Sequence, residues 1–344
     1  MSPNPKNFVR KILLSLLIIF FVFSLSLFFY LRPYYNLVKK ITGVSPLQFI
    51  KTSGGFKQTE GLVNFLLLGV AGANNEGANL TDSIMVASFD LKNNSLYLVS
   101  VPRDIWSKNL QDKVNSAYYY GEKRKKGDGF ILSKTEIGDI VGLPIHYAIL
   151  INFDQFSKLI DFLDGIEVIV ENSFDDFKYP IAGKENDLCS GDKEFKCRYQ
   201  HISFKKGPTH MDGVMALKFV RSRNAKGEEG TDFARGRREQ KIIMAISDKI
   251  LSRFKKFEFE ASELEELYLL IDTLVKRDIE NKEIVYLAKT FFSQKIIIKN
   301  ITLSKDFFIV PNYQDYRGKY VLIPKDNDFK TIQNYIKQKI RVDN

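Results

Sequence analysis

The twenty residues from Ile12 to Leu31, ILLSLLIIFFVFSLSLFFYL, carry no charge, and no other feature constrains the folding of this chain so tightly. A helix rises about 1.5 Å per residue, so this run is roughly 30 Å long, the thickness of a bilayer's hydrocarbon core. A cleaved leader would have a shorter apolar run, about 7–15 residues, ending in small side chains. This run ends instead in FFYLRPYY, an aromatic and basic flank suited to the membrane interface. The sequence therefore predicts an uncleaved transmembrane anchor over residues 12–31, preceded by a cytoplasmic tail over residues 1–11. Lys6, Arg10 and Lys11 before the span balance Arg32, Lys39 and Lys40 after it, so flanking charge leaves the orientation open. The short leading tail favours an inside start. The expected arrangement is single-pass in the cell membrane, with the remainder of the chain extracytoplasmic.

That remainder is long enough to bury a substantial core. The net charge of +10 over 344 residues leans toward an anionic partner and says nothing of fold. Cys189 and Cys197, in CSGDKEFKC, are the only cysteines. In an oxidising compartment they would close a small loop as a disulfide, with two unpaired thiols as the alternative. Two thiols with no further cysteines or paired histidines nearby do not complete a zinc site.

Residues 32–60, with Pro33, Pro46 and TSGG, read as a juxtamembrane stalk. From residue 61 to 344 the pattern is that of one α/β domain. LVNFLLLGV is an apolar run suited to a central strand. SIMVASFDL and SLYLVSVP follow around a KNN turn, and Pro102 ends the second of them. A helix is expected near residues 133–141, then the strand HYAILIN, the helix FDQFSKLIDFL and the strand DGIEVIVEN. Residues 172–206 read as an irregular polar insertion. HMDGVMALKFVRSR reads as a helix running into a strand, and residues 234–255 as a long basic helix. ELEELYLLIDTLV and NKEIVYLAKTFF read as amphipathic helices, and GKYVLIPKDNDFKTIQNYIKQKI as a strand, a turn and a closing helix. This alternation predicts a three-layer α/β/α sandwich around a central mixed sheet.

Phosphate-binding loops, nucleophile elbows and dinucleotide fingerprints are absent from the sequence, and His146, His201 and His210 have no metal-ligand spacing. What remains is a set of acids and arginines at the ends of expected strands, where open α/β sheets bind ligands. LTDSIM supplies Asp82, VPRDIW supplies Arg103 and Asp104, VRSR supplies Arg221 and Arg223, and TDFARGRREQ supplies Asp232 and Arg235. Guanidinium groups fork onto phosphate oxygens, so several converging suit a diphosphate. Carboxylates among them require a divalent cation between, and hard oxygen donors with substrate phosphate are the usual Mg²⁺ arrangement. Each tract alone has an ordinary reading: turn chemistry for Asp82, a surface ion pair for Arg103 and Asp104. Arg237 and Arg238 read as the wet face of a helix.

These tracts, in this order behind one span, resemble the LytR-CpsA-Psr family of cell-envelope proteins. The resemblance runs from NFLLLG at Asn64 to GRREQKII at Ile243 and includes SVPRD, VNSAYYYG and LDGIEVIV. It implies a membrane-anchored phosphotransferase that moves a glycopolymer from a polyprenyl-diphosphate carrier onto peptidoglycan or a similar acceptor. It also implies a long apolar pocket for the isoprenoid, and Mg²⁺ as cofactor. Carried over, Asp82 is a magnesium ligand, and Asp104 serves either the metal or an arginine. Arg103, Arg221, Arg223 and Arg235 hold the diphosphate, and Asp232 is a base or orienter for the incoming hydroxyl. Arg103, Asp232 and Arg235 would be the catalytic set.

The chain departs from the family pattern at three places. Leu80 stands where many members have Arg, GVAGANNEG offers only Glu76 as an early acid, and Glu239 stands where Gln is frequent, with Gln240 next. Two further functions stay open from sequence: hydrolysis at the same site with water as acceptor, and a non-catalytic envelope-binding or regulatory module. The basic residues are interleaved with acids and no recognition motif is present, so nucleic acid is not an expected partner.

Overall fold

Leu62–Val70 (β1) is buried along nearly its whole length, as an apolar run must be when a sheet is covered on both faces. The computed structural model describes the backbone of residues 5–43, 45–46, 56–70, 80–256, 258–284, 286–287 and 296–341, and the side chains of these except 5–18 and 153–155. Thr81–Asp90 (β2) pairs antiparallel with β1, and Ser95–Ser100 (β3) pairs antiparallel with β2. Between β2 and β3 the Asp90 carboxylate accepts the backbone N–H groups of Lys92 at 2.8 Å and Asn93 at 3.2 Å. This is the side-chain chemistry that makes KNN a turn.

Trp106–Ser107 (β4) and Asp112–Lys113 (β5) form a short hairpin, followed by helices Ala117–Arg124 (α2) and Asp128–Val141 (α3). Tyr147–Asn152 (β6) then returns parallel to β1, and Phe153–Phe162 (α4) follows it. With Val275–Arg277 (β11) and Ile297–Thr302 (β12), the central sheet has six strands in the order β11-β6-β1-β2-β3-β12, mixed parallel and antiparallel. Helices cover both faces. On one, Ile137 and Ile140 of α3 meet Leu66, Val86 and Val99, together with Ile332 and Ile336 of the last helix, Lys330–Arg341. On the other, Ile243 and Met244 of the long helix Asp232–Lys255 meet Val63, Phe65, Met85 and Leu98.

A second core lies beside the sheet. Ile166–Val170 (β7) pairs with Gly207–Met211 (β10), and Phe174–Pro180 (β8) pairs with Tyr199–Phe204 (β9). Both pairs pack with helix Gly213–Arg221 (α5) and with Ile242. Two expectations are corrected here. Residues 172–206 contain the β8–β9 hairpin, closed near its tip by a Cys189–Cys197 disulfide. A register shift between Asp176 and Tyr179 breaks the alternation that would have marked the strand. Nor does VRSR form a strand. Helix α5 ends at Arg221, and the N–H groups that a sheet ladder would use are taken by a side chain, as described below.

Further helices among the described residues are Asp232–Lys255 (α6), Ala261–Leu274 (α7) and Lys330–Arg341 (α8), and residues 281–284 and 286–287 are helical as well. The N-terminal helix Pro5–Thr42 (α1) does not stop at Leu31 but runs through Pro33, so the expected stalk begins as helix. Its end docks on the body. Leu37 is buried, Tyr34 Oη donates to the Phe259 carbonyl at 3.4 Å, and Lys40 pairs with Glu265 of α7. Among the described residues no helix is long and apolar enough to cross a membrane. Side chains 12–18 of the expected span, the loop holding Glu76, and residue 285 and everything after Leu287 in NKEIVYLAKTFF lie outside the described residues.

Candidate active site

The four tracts that carry the expected site residues converge at one end of the sheet, where β1 and β3 finish and β2 begins. Asp82 sits at the start of β2, and Arg103 and Asp104 follow β3. Helix α6 starts at the same end, capped by Thr231, whose side chain accepts the Ala234 N–H at 3.2 Å. The helix can lie this close because residue 236 is glycine. A Cβ there would stand 3.0 Å from Ser100 Cβ, and Ser100 Oγ already donates to the Gly236 carbonyl at 3.3 Å.

The seven sequence-derived site residues all reach this place. Arg103 pairs with Asp82 through Nη1. Its buried Nε makes no hydrogen bond, standing 3.6 Å from Asp232 and 3.7 Å from Asp104. Arg235 Nη1 is 3.2 Å from Asp232, and its Nη2 donates to the Asp82 carbonyl at 2.9 Å. Arg221, Arg223, Arg235 and Asp82 line one cavity, with Pro180, Val220 and Asn224. Its volume is about 690 Å³ counted out to open solvent. A smaller cavity beside it is lined by Asp82, Arg103, Asp232, Arg235 and Glu239.

Charge at the site is unbalanced toward the positive on the cavity side. Burial, then Arg103 and Arg235, push the Arg223 pKa below its ordinary value against the opposing pull of Asp232 and Asp82, because both a dry surrounding and like charges disfavour the cation. Burial works against the Arg103 charge too, but Asp232, Asp82 and Asp104 outweigh it and hold its pKa high. Asp104 is only 4 % exposed. Burial, then its hydrogen bond to Asp232, raises its pKa against Lys113 and Arg103, and Lys113 Nζ lies 2.6 Å away. Burial would raise Asp232 as well, but Arg235, the Asp104 bond and Arg103 bring it down to about 2.

These positions sort the expected metal ligands. Asp104 is occupied by Lys113 and Asp232 and lines neither cavity. Asp82 is the one carboxylate lining the arginine cavity. Among the described residues the site gathers no trio of acid or histidine ligand atoms within 4.8 Å of one another. Asp82 with phosphate oxygens and water is a donor set that fits Mg²⁺, which commonly keeps water and takes one or two carboxylates.

Beside the arginines lies an apolar cleft of about 880 Å³, counted the same way. Leu67, Ile151, Phe156, Leu159, Ile242 and Ile246 are among its walls. Val220 lines both this cleft and the arginine cavity, while Ser83 and Glu239 line both the cleft and the smaller cavity. Glu239 Oε2 accepts Ser83 Oγ at 2.7 Å. Burial pushes the pKa of Glu239 up to about 7, against Arg235 and Ser83.

Two further residues build the site and were not legible in the sequence. Asp176, on β8, is fully buried. Its Oδ2 accepts Ser222 Oγ at 2.8 Å and the N–H groups of Arg223 and Asn224, each at 3.1 Å. That one carboxylate sets the backbone carrying Arg223. Arg238, expected on a wet helix face, is 3 % exposed. It donates to the carbonyls of Phe219 at 2.8 Å and Ser222 at 2.7 Å, and to Glu229 at 2.8 Å. Its guanidinium also lies 4.9 Å over the Phe174 ring. A cation on the last carbonyls of a helix closes its C-terminus, so Arg238 fixes the end of α5 from which Arg221 projects. Neighbouring Arg237 is half-buried.

The mixed sheet with helices on both faces, carrying arginines and acids at one end, defines an α/β protein with an arginine-lined cavity beside an apolar cleft. The model of the LytR_cpsA_psr family matches residues 36–338, and the chain belongs to that family. It is 32% identical over 191 residues to a Bacillus mycoides protein named polyisoprenyl-teichoic acid–peptidoglycan teichoic acid transferase TagU, covering 54% of this chain and 52% of that one. It is 27% identical over 247 residues to the Bacillus subtilis protein of corresponding name, TagV, covering 69% and 55%. The chain thus spans about half the length of the curated relatives it matches. The crystal structure of B. subtilis TagT superposes with a TM-score of 0.54 at 20% identity, covering 84% of this chain and 95% of that one, which establishes the shared fold.

Proposed function

We propose that this protein is a membrane-anchored phosphotransferase. It moves a glycopolymer from a polyprenyl-diphosphate carrier to a hydroxyl of peptidoglycan or a similar cell-wall acceptor. The observation that carries this reading is the junction of an arginine-lined cavity with an apolar cleft through Val220, Ser83 and Glu239. A ligand with a diphosphate head and an alkyl tail fits both at once. The names of the relatives, which pair a polyisoprenyl-linked donor with peptidoglycan, support the same chemistry.

Phosphoryl transfer asks a protein mainly for positioning and charge neutralisation. Arg221, Arg223 and Arg235 hold the diphosphate oxygens, and Arg103, whose buried Nε lacks a hydrogen-bond partner, takes an oxygen on the phosphorus that bears the glycan. The acceptor oxygen bonds to that phosphorus as its bond to the bridging oxygen breaks. Polyprenyl phosphate leaves with the bridging oxygen and the electron pair, and the hydroxyl proton ends on that leaving phosphate. Asp232, with a pKa of about 2, is too weak a base to take the proton early and serves to orient the hydroxyl. Mg²⁺, when bound, neutralises charge on the diphosphate, and Asp82 is the residue that would hold it.

Anchoring through residues 12–31 belongs to the same reading. From Ile19 to Leu31, α1 exposes most of its large apolar side chains, which suits lipid contact. The Cys189–Cys197 disulfide supports an oxidising, extracytoplasmic setting. The test uses the full chain in detergent with a polyprenyl-diphosphate-linked glycan and peptidoglycan. The Arg221→Ala/Arg223→Ala double variant is expected to lose about 100-fold or more in transfer rate. Undiminished transfer contradicts the proposal.

A further inference from the structure

The geometry points to an acceptor-glycan subsite on a tyrosine platform, residues 312–320, on the far side of the arginines from the apolar cleft. This inference rests on the phosphotransferase reading and names where its second substrate binds. The cleft walls come from β1, β2 and β6 together with helices α4, α5 and α6, and β6 lies on the side of β1 away from β3. The platform lies toward the β3 side. Leu322 forms a parallel bridge with Ile105, its N–H donates to the Asp104 carbonyl at 2.9 Å, and its carbonyl accepts the Trp106 N–H at 2.9 Å. Tyr320 and Arg103 each lie two residues before this isolated bridge. The electrostatic influence of Asp104 and Asp232 reaches the Tyr320 hydroxyl and, after burial, helps to raise its pKa.

The loop is fixed in place from beneath. Tyr316 meets the ring of Trp106 edge-on at 4.9 Å. Lys319 Nζ lies 2.6 Å from Asp112 Oδ1, and Asp112 Oδ2 accepts Tyr120 Oη at 2.8 Å. Gly318 N–H donates to the Tyr313 carbonyl at 2.8 Å, with Arg317 in the left-handed conformation at φ 57°. What this framework presents outward is a pair of rings. Tyr313 and Tyr320 are 49 % and 46 % exposed, with centroids 6.2 Å apart and planes tilted by 56°. Rigid amphipathic rings with hydroxyl tips suit a pyranose, which offers an apolar C–H face and a rim of hydroxyls.

Position supplies the second half of the argument. In-line displacement puts the attacking and leaving oxygens on opposite sides of phosphorus. With the polyprenyl chain in the cleft on the β6 side, the acceptor hydroxyl has to arrive from the β3 side. Tyr320, within electrostatic reach of Asp232, and Tyr313 beside it border that approach.

The experiment uses the full chain in detergent and a soluble peptidoglycan glycan fragment as probe. Trp106 is the only tryptophan and underlies the platform, so its fluorescence reports occupancy without turnover. A saturable change is expected in the wild type, and Tyr313→Ala/Tyr320→Ala is expected to weaken it about tenfold or more. Tyr313→Phe/Tyr320→Phe should retain most of the affinity, because the stacking faces remain. In the transfer assay the alanine pair should raise KM for the fragment, with the affinity for donor unchanged. Saturable binding that the alanine pair weakens, in a protein that transfers nothing, would keep the platform and sink the phosphotransferase reading. Transfer by the wild type with the fragment KM and Kd unchanged in the alanine pair would sink the platform alone. A loss of donor affinity in that pair equal to the loss for the fragment would also overturn it, by marking the loop as merely structural.

Discussion

Asp176 Oδ2 lies 2.8 Å from Ser222 Oγ, inside a pocket from which solvent is excluded. The contact joins a hairpin that the sequence hides to the loop that presents Arg223. Because the same oxygen also receives two backbone N–H groups, removing it strands several donors at once.

Asp176→Ala is therefore expected to destabilise the protein by about 1–3 kcal/mol per stranded group that finds no water. It should also weaken donor binding although Asp176 touches no donor. Denaturant unfolding and donor titration of the same variant check both parts. Donor affinity equal to wild type in a folded Asp176→Ala protein would show that Arg223 is positioned by something else.

Arg237 and Arg238 are adjacent in sequence and opposite in consequence. Arg238→Ala removes a buried cation from Glu229 and from two helix-end carbonyls, and a loss of about 3–5 kcal/mol is expected. Arg237→Ala is expected to stay within about 0.5 kcal/mol. Comparing the two denaturant midpoints decides the matter, and equal midpoints would refute it.

Glu239 provides a pH dependence of defined sign. Its pKa of about 7 in the folded protein lies above the ordinary glutamate value of 4.5, so the folded state holds the proton more tightly than the unfolded state. The stabilisation from that proton is complete below pH 4.5 and is lost as pH rises toward 7. Relative to Glu239→Gln, wild-type stability should fall by at most about 1.4 kcal/mol per pH unit across that window. Parallel pH–stability curves for the two proteins would contradict this.

The parts of the fold set by local pattern were legible in the sequence. β1 reads as a buried strand because both its faces are covered, the KNN turn because Asp90 and its neighbours have turn chemistry, and α6 because its cap and length are ordinary. The seven charged residues that gather at the site stood out in the sequence as short tracts. Of these, Arg103 and Asp104 do follow a strand and Asp232 and Arg235 do open a helix, whereas Asp82 opens a strand and Arg221 and Arg223 leave a helix end. What could not be read was set by contacts distant in sequence. Asp175 and Asp176 are equivalent in the sequence, and only the folded hairpin turns the second inward. Arg238 looks solvated beside Arg237 until α5 packs its last carbonyls against it. The strand expected at VRSR failed for the same reason, since a carboxylate 46 residues from Ser222 captures the backbone donors there.

The central claim is that one ligand occupies the arginine cavity with its head and the apolar cleft with its tail. The most direct measurement is photo-crosslinking of the full chain with a polyprenyl-diphosphate carrying a diazirine near the end of its chain. Peptide mapping should then locate the label. The expected result is labelling at Phe156, Leu159, Ile242 or Ile246, lost on competition with unlabelled donor and reduced in the Arg221→Ala/Arg223→Ala protein. Labelling elsewhere on the domain, or labelling of the cleft that is indifferent to those arginines, would contradict the account.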